Sequence, residues 1–280
     1  MLDDFRFAAR MLRKSPAFTI ATVLMLSLGI GANTTIFSLV YPVLLRPLAY
    51  QHPEQLVMVW ESRATEGSRQ NDAAAGEFLD WRDRNTSFQA ISALRTTPLA
   101  LAGEPEPVQI TGAAVSPGFF DLLGVRPALG RAFAPDEDSA GKNRVILLSH
   151  GFWRSRFAGD PAVIGRTVNV DSVPFTALGV LPESFRFPNV EVQAWVPLTV
   201  DPGARSDRLN HQFSVFARLK TGVTFESACD EMVALGAQIA NENSERTRGH
   251  GVSLQPLKEY VGQESKPSLL ALQGPWDSFC

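Results

Sequence analysis

The stretch SPAFTIATVLMLSLGIGANTTIFSLVYPVLL, from Ser15 to Leu45, contains no charged residue in 31 positions. A bilayer core about 30 Å thick takes about 20 helical residues, so the run is long enough to span it, with slack for tilt. Ser15 and Pro16 read as a helix cap followed by a first-turn proline. Pro42 bends or ends the helix. A cleaved signal peptide has an apolar region of about 7–15 residues and a small-x-small cleavage site. This run is longer, and no clear Ala-x-Ala motif follows it. The expectation is a retained transmembrane helix over residues 17–45.

Flanking charge sets the orientation. Arg6, Arg10, Arg13 and Lys14 precede the run and only Arg46 directly follows it, which puts the N-terminus in the cytoplasm. Residues 1–46 carry a net charge of +3 and the remainder −6, a basic foot and an acidic exterior. In the foot, residues 1–16, Leu2, Phe5, Ala9 and Leu12 share one helical face and Arg6, Arg10 and Arg13 another. This suits either a helix lying on anionic lipid or a plain topology signal. Within the span, Ser27, Gly29 and Gly31 form a small-residue patch, and Ser27 and Gly31 are four residues apart, the spacing of close helix packing.

The remainder, residues 47–264, reads as a mixed α+β domain. Strands are expected at Leu56–Trp60, Val108–Val115, Val145–Leu148, Gln212–Leu219 and Val252–Pro256. Helices are expected at Gly76–Arg84, from Ser116-Pro117 to Gly124, and at Ser149–Phe157. Thr167–Val180 reads as a hairpin turning at Asp171-Ser172. Thr224–Asn241 is the clearest helix of the domain, with Phe225, Ala228, Met232, Leu235 and Ile239 at helical spacing; Cys229 within it reads as a buried inert thiol. The elements interleave without a regular βαβ period, which favours α+β over a doubly wound sheet. The middle section, about Thr97 to Val200, is a candidate second subdomain inserted between two outer halves.

Little chemistry is legible. The composition is that of a globular chain, and the net charge of −3 argues against nucleic acid as a partner. Two cysteines, Cys229 and Cys280, make neither a disulfide scaffold nor a zinc cluster. Gly141-Lys142 lacks the glycine spacing of a P-loop. Asp136, Asp138 and Gly141 match half a calcium loop, but the strong ligands are missing, so a solvated acidic loop is the better reading. His52, His150, His211 and His250 show no spacing suited to a metal. Ser149-His150 invites a nucleophile–base reading, although adjacent residues rarely face each other and Ser149 suits a helix cap. No catalytic, cofactor or metal residue is assigned. The aromatic pairs Phe119-Phe120, Phe152-Trp153 and Phe185/Phe187 read as core, with a partner-facing surface as the alternative.

Several stretches together resemble FtsX-like, MacB-type permeases of ABC transporters, particularly the acidobacterial group. They are Asp4–Leu12, Lys14–Thr19, Leu26–Thr34 and Leu44–Leu48 at the N-terminal end. In the domain they are Val115–Phe120 with Leu123-Gly124-Val125, Pro127 and Gly130-Arg131; Ser149–Trp153 with Arg156-Phe157 and Gly165; and Gly179–Pro182 with Phe185, Phe187 and Pro188. The resemblance implies an inner-membrane permease subunit with a periplasmic core domain that couples ATP-driven motion to extracytoplasmic substrates or partners. It also implies a separate ATP-binding subunit. Further candidate partners are a second copy of the chain, through membrane and periplasmic parts, and a periplasmic protein; lipid surrounds the helix. No catalytic residue is carried over.

After Leu272 the resemblance implies a second membrane helix, but the chain reads Gln273-Gly-Pro-Trp-Asp-Ser-Phe-Cys280. Residues 265–280 are therefore read as the truncated or frameshifted start of that helix. The alternative function is a single-span sensory or scaffold protein with an exterior binding domain. A membrane-anchored hydrolase using Ser149 and His150 comes third.

Overall fold

The computed structural model describes residues 16–40, 50–63, 70–102, 107–185, 187, 191–243 and 249–262. The foot up to Ser15, and residues 265–280, lie outside them. Two units are distinguished, one containing the N-terminal helix and the other spanning Leu48–Glu264.

Helix α1 runs from Pro16 to Val40 over 25 residues, about 37 Å. It begins at the proline that the sequence marks. Ile20, Val23, Leu24, Met25, Leu26, Leu28 and Ile30 are all exposed on it. At about 100° per residue they point all round the axis, so the described part has no polar face. Over the described side chains, no helix of the chain is long and apolar enough to cross a membrane. The side chains at positions 18, 32, 33 and 35–40 are outside that description.

The domain is α+β. In chain order its elements are β1 (Leu56–Arg63), α2 (Ala75–Arg84), β2 (Phe88–Leu101), β3 (Val108–Val115), α3 (Phe119–Leu123), β4 (Leu129–Gly130) and β5 (Val145–Leu148). Then come α4 (His150–Arg156), β6 (Thr167–Val170), β7 (Val173–Val180), β8 (Ala194–Pro197), β9 (Ser214–Leu219), α5 (Phe225–Glu242) and β10 (His250–Pro256). All strands join one sheet in the order β10-β1-β9-β2-β3-β8-β5-β7-β4, with β6 pairing β2 and β7. Only β3–β8 and β5–β7 are parallel.

Both faces of the sheet are covered. On one, Val57, Val59, Val215, Ala217, Ile146 and Leu148 pack with Phe78, Leu79 and Trp81 of α2 and Met232 and Ile239 of α5. On the other, Leu56, Met58, Phe216, Leu147 and Trp195 pack with Phe119, Phe120, Leu122 and Leu123 of α3. Double coverage is why Val145–Leu148 is apolar at every position rather than alternating.

The expected inserted subdomain takes a different form. Strands from residues 108–197 do make one end of the sheet and the outer strands the other. Yet β2 pairs with β9 from Phe88 to Leu94 and with β3 from Leu94 to Leu101. The expected boundary at Thr97 falls inside this continuous strand, and no linker is there. The helix expected to open at Ser116-Pro117 starts later. Its N-cap is Gly118, at φ 83°, while the Ser116 hydroxyl accepts from Ala93 N at 2.8 Å. The hairpin turns at Asp171 and Ser172, which both adopt positive φ (50° and 66°), as a tight two-residue turn demands. Ala100 N donates to the Asp171 carboxylate at 2.9 Å, fastening the turn to β2.

The β4–β7 pairing sets Gly130 opposite Gly179. A Cβ on Gly130 would stand 2.0 Å from the carbonyl oxygen of Leu178, and its φ is +72°. Backbone cannot yield as a side-chain tip does. Gly130→Ala should therefore lower stability by about 2 kcal/mol or more, measured by urea unfolding of the full chain in detergent. An effect below about 0.5 kcal/mol would refute the close approach.

Candidate functional site

At the C-terminal end of β5 a groove of about 510 Å³ opens between Ser149–Gly151 and the segment that returns to β8. Its aromatic wall is Phe185, Phe187 and Trp195, with Glu183 and Glu191 on the lining. The wall continues into the core: Trp195 stacks on Phe119 at 5.8 Å and meets Phe120 and Phe187 edge-on at 5.4 and 5.5 Å. Trp195 is 1% exposed and its Nε1 has no hydrogen-bond partner among the described residues. The returning segment is fixed by its backbone, with Ser149 N donating to Gln193 O at 2.9 Å and Gln193 N to Thr111 O at 2.8 Å.

Ser149 and His150 border this groove without forming a catalytic pair. The Ser149 hydroxyl accepts from Phe152 N at 3.2 Å as the cap of α4. The His150 ring lies edge-on to Trp153 at 5.4 Å. No hydrogen bond joins the two among the described residues. The acidic loop neutralises itself. Arg131 grips both Glu137 oxygens, at 2.9 and 2.6 Å, and holds that carboxyl below its usual range. Lys142 pairs with Asp136 at 2.5 Å. Phe119 and Phe120 are buried core, not a partner surface. Cys229 is half-buried rather than buried, and desolvation raises its thiol pKa. Ser27, Gly29 and Gly31 lie on α1; among the described residues, nothing beyond the local helix backbone stands within 4 Å of a Cβ built on either glycine.

A second polar centre lies beside β1, built from residues whose sequence spacing does not announce it. Arg208, 4% exposed, donates to Asp80 at 2.6 Å and to Glu77 at 3.4 Å. Arg205 pairs with Asp80 and Asp83. Close by, the wholly buried Glu61 meets His211 at 2.9 Å and His250 at 3.3 Å. The sequence spacing of the histidines, which suits no metal, does not show this convergence. Residues 211 and 250 are far apart in the chain, and strand pairing alone unites them.

Comparison with known proteins follows from this fold. A family model described as MacB-like periplasmic core domain matches residues 19–235. The chain belongs to that family. Its relatives are periplasmic domains of ABC-transporter permeases. Among solved structures, a domain of a candidate permease protein from Porphyromonas gingivalis is similar at 18% identity and TM-score 0.56, covering 74% of this chain and 91% of that one. The periplasmic region of MacB from Actinobacillus actinomycetemcomitans is similar at 12% identity and TM-score 0.54, covering 83% of this chain and 98% of that one. No curated protein matches the sequence. The groove lining includes Ser149–Gly151 and Leu181-Pro182, which belong to stretches that carry the resemblance.

Within this MacB-like domain the Glu77 carboxyl is strongly displaced. Burial raises its pKa from 4.5 to about 7, and the Glu61 charge adds to this against the lowering pull of Arg208. Arg208 is committed more closely to Asp80, so Glu77 is only partly compensated. Between pH 4.5 and about 7 the folded state then holds more protons than the unfolded one, and stability falls as pH rises through that window. Glu77→Gln should match the parent near pH 4 and exceed it by on the order of 1–3 kcal/mol at pH 7.5. Urea unfolding at both pH values checks this; equal pH slopes in parent and variant would refute it.

Proposed function

We propose that the chain is a permease subunit of an ABC-type transporter. In this reading α1 anchors it in the inner membrane with the N-terminus cytoplasmic, and the Leu48–Glu264 domain stands in the periplasm. There it couples motion driven by a separate ATP-binding subunit to extracytoplasmic substrates or partner proteins. The observation that carries the reading is the single family match, which begins inside α1 at Thr19 and runs unbroken into α5. The charge-free sequence from Ser15 to Leu45 supports the anchor. So does an apolar surface on every side of α1, which water would not tolerate. Four basic residues before the helix support the orientation. The domain's part in this reading is mechanical, and Ser149, which precedes His150, is committed to capping.

Alkaline phosphatase joined after residue 262 tests the topology. It should be active in intact cells, and deletion of residues 16–40 should abolish the activity. An inactive fusion to the whole chain would overturn the orientation. Co-purification of an ATP-binding subunit from detergent-solubilised membranes separates this reading from a single-span scaffold, which needs none.

Of Ser27, Gly29 and Gly31, Ser27 and Gly31 share one face of α1 and are proposed as the face by which it packs on another membrane helix, while Gly29 lies on the opposite side. Ser27→Leu combined with Gly31→Leu should weaken self-association of the helix in membranes by about 1–2 kcal/mol, while Val23→Leu leaves it unchanged. An undiminished signal in the double variant would remove the packing role.

A further inference from the structure

Three ligating side chains from separate parts of the chain converge beside β1. Glu61 lies on that strand, fully buried, on the face that also carries Val57 and Val59. His250 opens β10, whose register sets it opposite Arg63. His211 stands in the loop that enters β9. His211 Nε2 is 2.9 Å from Glu61 Oε2 and His250 Nδ1 is 3.3 Å from Glu61 Oε1. One ligand atom from each residue lies within 4.8 Å of the other two.

Two neutral imidazoles and a carboxylate are the donor set of Zn²⁺. Around a tetrahedral ion with bonds of about 2.0–2.2 Å, ligand atoms lie about 3.4 Å apart. The two contacts to Glu61, 2.9 and 3.3 Å, are close to that, and no ligand atom of the three is more than 4.8 Å from another.

The hydrogen bonding of the cluster points the same way. His211 Nε2 is within reach of the Glu61 carboxylate and of Arg63 Nη2, at 3.1 Å. With Nε2 donating to the carboxylate, Nδ1, 3.4 Å from the same Nη2, is left to accept from Arg63. Imidazole and carboxylate thus both face a positive charge, which a metal ion would supply by drawing on their lone pairs. Arg63 supplies part of that charge, with its Nε 3.1 Å from Glu61 Oε1. It is therefore the group an ion displaces. A quarter of its side chain is exposed, and it lines a pocket of about 610 Å³ together with Asp72, His211 and Ser214. The guanidinium has room to swing outward.

We propose that Glu61, His211 and His250 bind a divalent transition-metal ion, Zn²⁺ being the best match, with its fourth coordination position open to this pocket. Imidazole donors favour Zn²⁺, Ni²⁺ or Co²⁺ over Mg²⁺ and Ca²⁺, which take oxygen. The ion ties together β1, β10 and the approach to β9. The inference is independent of the transport reading.

The test uses the full chain in detergent, stripped with chelator. Calorimetric titration with ZnCl₂ should give one equivalent bound, and CoCl₂ should give the visible absorption of a tetrahedral site. His211→Ala and His250→Ala should each weaken binding by at least about tenfold, since even outer-shell changes cost 10–100-fold. His52→Ala and His150→Ala should leave it intact. Arg63→Ala, outside the ligand set, should bind Zn²⁺ several-fold more tightly, and this variant keeps the proposal testable if the histidine variants unfold. No binding by the parent chain, unchanged binding in both histidine variants, or weaker binding by Arg63→Ala would each overturn it.

Discussion

Everything in the domain hangs on β2. This one strand of 14 residues reaches from the outer half of the sheet to the inserted half. Its first part hydrogen-bonds β9 and its second part β3, and Leu94 takes part in both registers, opposite Ser214 and Val115. Slipping β2 by one position would reverse its faces. Phe88, Leu99 and Leu101 would leave one core and Leu94 the other. The two cores on opposite sides of the sheet thus fix the register from both directions, and the register in turn places every loop that carries polar groups.

The same strand shows where sequence reading fails. Pro98 argues against an interior strand, and FQAISALRTTPLAL has no clean alternation. Pro98 is tolerated because the pairing with β9 ends at Leu94, which leaves β3 as the strand's partner at that point. Elements set by local chemistry were legible. The Thr224 hydroxyl accepts from Ser227 N to cap α5, Ser149 caps α4, and the Asp171-Ser172 turn sits where the flanking valines put it. Ser116 misled because a serine before a proline looks like a cap, while long-range pairing gave its hydroxyl to Ala93. The histidine–glutamate cluster was illegible for the same reason. Its members are neighbours only through the β1–β10 register and the fold of the 208–212 loop.

Buried charge is concentrated on one side of the sheet. Glu61, Glu77 and Asp80 are nearly inaccessible, as is Arg208. Gly76 makes this possible: a Cβ there would stand 2.5 Å from Arg208 Nε and from the Arg205 carbonyl oxygen. A buried ion pair adds little net stability after desolvation, but loss of one partner is costly. Such a layer therefore favours one arrangement of α2 against the 202–208 turn more than it deepens the energy well.

That preference for one arrangement bears on how a domain of this kind transmits movement. The chain enters through residues 50–55 into β1 and leaves through β10 into residues 257–262, and Val57 is paired with Pro256. Entry and exit therefore lie side by side at one end of adjacent antiparallel strands. The entry loop is pinned by Arg218, which lies on β9, with Nη2 donating to Gln51 O at 2.6 Å, Nη1 to His52 O at 3.2 Å and Nε to Leu122 O at 2.8 Å. Desolvation lowers the Arg218 pKa, yet guanidinium remains charged at any physiological pH, so these bonds are always made. These bonds tie the entry loop to β9 and α3, and the β2 pairing ties β9 to β3. A sheet joined in this way suits the coupling role proposed above, in which it would move as a body rather than strand by strand.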